Sequence, residues 1–409
     1  MKSFLHHRSV RIAATLAVLF SLAGLADAVA VSTQAQADPV SSSAYAGVGA
    51  DVTQDLYNAL SGASPAPPAS NVNFYLPIHS SSATNEETIQ SFDAAPQGGT
   101  TLNPGCITTK VGGPSFDRPN STTAGIGALL DAINGTGWEN SADSCTNTPV
   151  SVTGQIDFAR AARGPKTSGT TLTFVPYGRD ALGLLVLDPS HDLGSPPALT
   201  TAELTSLYSS STGTISLDGE TLYGCLTITG STPRTNLESA LGISDATAST
   251  AATAAGCPQI QQNSGNSFYS FASTVASAGS SPAAVVIPIS SGSWIGQDNQ
   301  VGYDRSNVAR ANGVTLAAIN SLGQPVTGTA PNEVPNTTYY QSTQFGYNVY
   351  TVLPTSKLSG FTQDQALESL FVGTSSALCQ DQSTVHTFGF DSLTSAEGTC
   401  GSTTTTGNS

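Results

Sequence analysis

Positive charge is what this chain has least of. Its 409 residues carry 13 Lys and Arg against 28 Asp and Glu, a formal net charge of −15. Such a surface repels phosphate backbones and anionic lipid headgroups, which argues against nucleic-acid binding and electrostatic membrane adhesion. A small anion is not excluded, because charge is screened over roughly 8 Å at physiological ionic strength and a few aligned donors in a closed cleft outweigh it. Histidine is scarce too: beyond residue 37 only His79, His191 and His386 remain, with no Cys-x-x-Cys and no His-Glu-x-x-His. No metal and no other cofactor is therefore expected. Gly-x-Ser-x-Gly and Walker loops are also missing, and nothing positions a nucleophile beside a base. Without those signatures no catalytic residue and no enzyme activity is expected.

Long apolar runs are missing as well, with one exception. Residues 12–26 (IAATLAVLFSLAGLA) follow Lys2, Arg8 and Arg11, and small-x-small sites come after them. This is the pattern of a secretory signal, and we place cleavage after Ala37, so that 1–37 is removed. The run is short for a membrane span, which needs about 20 residues. The expectation is an exported, secreted chain with no membrane insertion of its mature part. All six cysteines lie in that part. An even count in an exported chain argues for disulfides, and of the 15 possible connectivities we favour neighbours: Cys106–Cys145, Cys225–Cys257 and Cys379–Cys400.

What is present suggests two α/β domains. Removing Lys2, Arg8, Arg11 and Asp27 leaves a mature chain of 372 residues with ten cations against 27 acids. That length exceeds one ordinary core. Short apolar runs at 172–175, 183–187, 283–289 and 347–353 have the look of buried strands. Ahead of them, Ile126, Leu129, Leu130 and Ile133 recur at helical spacing behind a Ser/Thr cap, and between them Thr200 with Glu203 forms a capping-box pattern. Stretches 61–70 and 401–409 are low in complexity and are expected to be a flexible loop and tail.

Six of the ten mature cations fall in four short blocks, 118-RPNSTTAG-125, 159-ARAARGPK-166, 174-FVPYGRD-180 and 230-GSTPRTN-236. Each mixes Arg with hydroxyl, Gly, Asn or Pro residues, so guanidinium forks and exposed N–H groups lie together, as an oxyanion ligand requires. Ser121 and Thr122 precede an amphipathic helix whose positive end can face an anion, with Arg118 just before them. Arg163 sits at a Gly-Pro corner. Arg179 and Asp180 precede an apolar run, either as a structural pair or as a ligand contact. Thr232 and Pro233 suit the cap and first position of a helix, which puts Arg234 in a first turn where the dipole disfavours it. A bound anion or an acidic neighbour would resolve that tension. Upstream, Asp51 and Gln54 fit a capping box, and Asp51 and Thr53 either cap a helix or present its first turn to an anion.

These blocks, with 47-GVGADVTQD, 91-SFDA, 156-IDFARAARGP, 199-LTTAELTSLY, 229-TGSTPR and 285-VVIPISSGSWIGQDN, resemble the phosphate-type solute-binding proteins of ABC uptake systems, an exported actinobacterial branch above all. The resemblance implies an α/β, two-lobe periplasmic-binding-protein-like (type II) fold with ligand in the cleft. Lobe 1 would comprise 38–176 and 288–400 and lobe 2 would comprise 177–287, with strands crossing near Val175–Arg179 and Val286–Ser290. The ligand set would be Asp51, Thr53, Arg118, Ser121, Thr122, Arg163, Arg179, Ser231, Thr232 and Arg234. The family's Ser-Gly-Thr-Arg stretch is here Ser231-Thr232-Pro233-Arg234, which loses one N–H donor. Where phosphate receptors hold an aspartate, Ala161-Ala162-Arg163 stands, favouring a fully ionised anion. The function implied is capture of a small oxyanion, phosphate first, by a monomer that hands it to an ABC permease. The alternatives are a secreted surface or matrix protein on the same fold and, behind it, an extracellular phosphoester hydrolase.

Overall fold

The structure, a computed structural model, describes residues 45–63, 75–81, 86–96, 102–140, 145–146, 148–278 and 282–409. The signal segment, its Ala37 cleavage site and residues 64–70 lie outside them. One mixed sheet of ten strands organises the described residues. Strand β1 (Tyr45–Gly49) lies between β2 (Ile89–Ser91) and β3 (Phe158–Ala161), parallel to both. Strand β4 (Leu172–Leu187) is the long central member. On the other side of the sheet β5 (Thr214–Leu217), β6 (Glu220–Gly224) and β7 (Ala283–Ser290) reach β4, while β8 (Val314–Leu316) pairs with its last residues. Strand β9 (Gly346–Pro354) joins β4 to β3, antiparallel to each.

The two apolar runs expected at 172–175 and 183–187 are one strand, buried from end to end. Arg179 and Asp180 are therefore inside a strand, not ahead of one. The cause is non-local: β9 runs beside the whole first part of β4, from Pro354 opposite Leu172 to Gly346 opposite Ala181. Its register shifts between Val349 and Tyr350, opposite Gly178 and Pro176, leaving Tyr177 as the extra residue. A proline is tolerated at such a bulge because no ladder donor is needed there.

Side chains alternate across this sheet and feed four apolar clusters. Around β1–β3, Val48, Ile126, Leu129 and Phe174 pack on one face, and Leu56, Tyr57, Phe158 and Val175 on the other. Around β6–β7, Leu184, Val186, Leu204 and Leu237 pack on one face and Leu185, Leu187, Phe268 and Ile287 on the other. Successive β4 residues thus enter opposite cores, as a pleated strand requires. Ala317, Ile319, Tyr339 and Phe345 join the β6–β7 side, where Tyr339 donates to Leu182 O at 2.9 Å.

The helices that matter below are α1 (Gln54–Leu60), α2 (Thr122–Asn134), α3 (Thr201–Tyr208), α4 (Thr232–Leu241), α5 (Asp245–Ala254), α6 (Gly265–Ala278) and α7 (Ser291–Asp298). Ser121 caps α2 by accepting from Ala124 N, and the Thr200–Glu203 capping box forms in both directions. No helix among the described residues is long and apolar enough to cross a membrane. The three expected disulfides are present, with Cα–Cα separations of 5.6, 5.4 and 5.8 Å. The tail expected to be flexible is not. Strand β10 (Thr406–Gly407) pairs with Leu172 and Thr173, and Lys166 N donates to Ser409 O at 2.7 Å. Its Thr-Gly-rich composition hid this, because the hydrogen bonds it makes are all backbone or short polar contacts.

Candidate functional site

The two halves of the sheet meet along a buried polar seam. The first half contributes the turn after β1, the start of α2 and the end of β3. The second contributes the start of α4, the loop before α6, the end of β7 and Arg305. Asp51, Thr53, Asn120, Ser121, Thr122, Thr232, Gln262, Asn263, Ser290 and Arg305 are each at most 8 % exposed. Polar groups so deeply buried need partners, and several find them across the seam. Gln262 Nε2 donates to Asn120 O at 2.7 Å, Asn263 Nδ2 to Asp51 Oδ2 at 2.7 Å, and Arg305 Nη1 to Asp51 Oδ1 at 2.8 Å.

At one point of the seam two helix N-termini touch. Thr122 Oγ1, at the head of α2, lies 3.1 Å from Thr232 Oγ1, at the head of α4. Thr122 Oγ1 also accepts from Ala162 N at 3.1 Å, which leaves its proton for Thr232. First-turn N–H groups have no partner within their own helix, and each helix end carries roughly half a positive charge. Two such ends in contact repel. Arg163 follows Ala162 in the chain; its Nη1 donates to Gly164 O at 3.0 Å and its buried Nε has no hydrogen-bond partner among the described residues. Burial pushes the pKa values of Arg163 and Lys166 down, the guanidinium adding to the shift at the lysine.

The remaining candidates are engaged within the protein. Asp51 makes no capping box: a 3₁₀ turn (Asp51–Thr53) precedes α1, Ala50 stands at its cap, and Gln54 Oε1 accepts from Ala94 N instead. The Thr53 hydroxyl donates to Ala50 O at 3.3 Å. Arg118 donates to the carbonyls of Pro104, Asp93 and Cys106. Arg179 holds Ser342 O, Asn348 Oδ1 and the carbonyl of Tyr340, and pairs with Glu397 at 3.1 Å. Ser231, not Thr232, stands at the N-cap position of α4, one residue earlier than the sequence suggests, and its hydroxyl bonds to Thr227 at 2.6 Å instead of capping the helix. Arg234 has the acidic neighbours its position called for: Glu238 at 3.0 Å and Asp245 at 2.6 Å. Burial pushes the Glu238 carboxyl up to about 7, against the pull of Arg234.

Sequence reasoning missed Gln262, Asn263 and Arg305. The run 262-QNSG before α6 was a readable helix-start signal, but no local feature ties it to Asp51. It also missed what Asp180 does. That carboxylate accepts from Gly292 N at 2.9 Å, Ser290 Oγ at 2.6 Å, Tyr347 OH at 2.7 Å and its neighbour Ala181 N at 2.7 Å, so it occupies the N-terminus of α7. Elsewhere, an open groove of about 610 Å³ between Leu102, Ile260, Gln261 and Phe271 has no charged residue in its lining and does not suit an anion. A further cluster, Cys106, Asp117 and Cys145, has metal-ligand types, but its two cysteines are bonded to each other.

No family model and no curated protein matches the chain. Solved structures do. An ABC-type phosphate transport receptor from Vibrio cholerae is 13 % identical, over 86 % of this chain and all of that one, with a TM-score of 0.42. A putative phosphate ABC transporter substrate-binding protein with bound phosphate from Clostridium perfringens is 10 % identical at the same coverage, with a TM-score of 0.41. An OxyR mutant from Corynebacterium glutamicum is 11 % identical, over 91 % of this chain and 73 % of that one, with a TM-score of 0.36. Similarity this distant reaches receptors and a protein of another kind alike, so the functional reading rests on the site's own groups.

Proposed function

We propose that the chain is an exported binding protein that holds a small oxyanion, phosphate first, between the N-termini of α2 and α4, without catalysis. The observation that carries this reading is the Thr122–Thr232 contact, which brings two positive helix ends together through their hydroxyls. The donors are the first-turn N–H groups of both helices, the hydroxyls of Thr122 and Thr232, and Arg163. Pro233 lacks an N–H, so α4 gives one donor fewer than α2. The nearest acids, Glu238 and Asp245, are committed to Arg234, which favours a fully ionised anion. Entry requires the halves to part, and we place the hinge where β4 and β9 run from one half to the other. Export and delivery to an ABC permease belong to the same proposal, on the strength of the signal-like N-terminus and the sequence motifs.

One observation favours a second reading, a secreted surface protein without a ligand: Arg118, Arg179 and Arg234 are all bonded within the protein. Calorimetric titration separates the two. Protein unfolded, stripped and refolded would be titrated with phosphate, sulfate, molybdate and a dicarboxylate. Tight one-to-one binding of one of them, weakened in Thr232→Val, is the expected result. No heat from any of the four, with protein shown to be folded, would leave the surface-protein reading standing.

A further inference from the structure

One carboxylate of the first half takes a hydrogen bond on each of its oxygens from the second. Asp51, 2 % exposed, receives Arg305 Nη1 on Oδ1 at 2.8 Å and Asn263 Nδ2 on Oδ2 at 2.7 Å. Both donors are themselves fixed. Gln297, on α7, donates through Nε2 to Asn263 O at 2.9 Å and accepts through Oε1 from Arg305 N at 3.0 Å. Asn263 Oδ1 accepts from Ser290 N at 3.0 Å, and its backbone takes φ 51°, a left-handed conformation that surrounding structure must enforce. A guanidinium and an amide set rigidly at one carboxylate form a receptor, not a chance contact. Asp55 lies close by: burial pushes its carboxyl up to about 6, with Asp51 acting in the same direction and Arg305 against it. Without Arg305, two carboxylates would share the place.

We infer that Asp51 is a built-in ligand: it fills the Arg305–Asn263 receptor and latches the two halves together when no external anion is bound. The inference rests on the reading that the halves part to admit a ligand, and it deepens that reading by naming what holds them shut. A latched chain samples its open, anion-accepting form as a minor state, so an external anion binds through a population the latch keeps small.

The test uses the full mature chain with no anion added. Small-angle scattering of the unliganded wild type should match the closed structure, and hydrogen exchange should be slow in peptides covering 45–54 and 259–265. Asp51→Asn and the more conservative Arg305→Lys should each speed exchange in both peptides by about tenfold or more and shift scattering toward a larger radius. An open profile for the unliganded wild type would overturn the latch whether or not the variants fold. So would a folded variant as protected as the wild type. Anion titration is a separate readout: an absence of binding with the latch intact sinks the oxyanion reading alone, and binding to an already open chain sinks the latch alone.

Discussion

The N-terminus of α7 and the paired N-termini of α2 and α4 face the same electrostatic problem and meet it differently. At α7 the chain supplies its own anion, the Asp180 carboxylate, which Ser290, Gly292 and Tyr347 hold with the strand residue Ala181. At the Thr122–Thr232 contact of α2 and α4 it supplies hydroxyls, and its acids near α4, Glu238 and Asp245, are paired with Arg234. Where the counter-charge is covalent the site is structural and permanently filled. On the proposed reading, a diffusible anion takes that place between α2 and α4, and the comparison between the two regions is then one between a filled and a fillable helix end.

Removing the internal anion should cost most. Asp180→Ala strips α7, Ser290 and Tyr347 of one shared acceptor, and we expect a loss of about 4 kcal/mol in denaturant unfolding. A neutral result would mean the helix ends need no counter-charge, and the comparison would fail on both sides. Arg234→Ala comes next. Since Arg234 is 2 % exposed and tied to two acids, the change should lower stability by about 3 kcal/mol. Affinity lost at unchanged stability would reverse that assignment. Breaking Cys225–Cys257, which ties the end of β6 to the chain beyond α5, should also cost roughly 2–5 kcal/mol. Thr122→Val leaves the buried Ala162 N–H without its acceptor and should cost about 1–3 kcal/mol in unfolding, Thr232→Val less. Each should weaken anion binding about tenfold, the worth of one hydrogen bond to a charged group.

The smallest effect is on pH dependence. Glu238 titrates near 7 when folded against an ordinary value of 4.5, so it binds its proton more tightly in the folded chain. Its contribution is complete below pH 4.5 and is lost as pH rises through 7. Glu238→Gln should therefore flatten the decline in stability between pH 5 and pH 8 by on the order of 1 kcal/mol, the exposed Asp245 alongside keeping the effect modest. A decline of unchanged slope would put the titrating group elsewhere.

Local features were legible in the sequence. The α2 cap, the α3 capping box and the disulfide neighbours all depend on residues close in the chain, where spacing carries information. The seam was legible only by halves. Ser121, Thr122 and Thr232 announced themselves as helix starts, but the partners of Asp51 lie more than 200 residues away, at Asn263 and Arg305. Arginines misled for a related reason: a guanidinium in a Gly- and Ser-rich block shows a donor but not its acceptor. For Arg118 the acceptors were backbone carbonyls, which no sequence displays. The continuity of β4 was hidden likewise, because Pro176 and Gly178 mark a break unless a bulged neighbour accommodates them.

That neighbour leads to the order in which the chain can fold. Every strand that pairs with β4 comes later in the sequence: β7, β8, β9 and β10. A nascent or translocating chain that has reached Leu187 carries sixteen residues destined for full burial and has made none of their ladder partners. Loop closure over such separations is slow, and an open apolar strand is a template for aggregation while it waits. Completion of the sheet therefore belongs to the last stage of folding, with residues 406–407 closing the edge at Leu172.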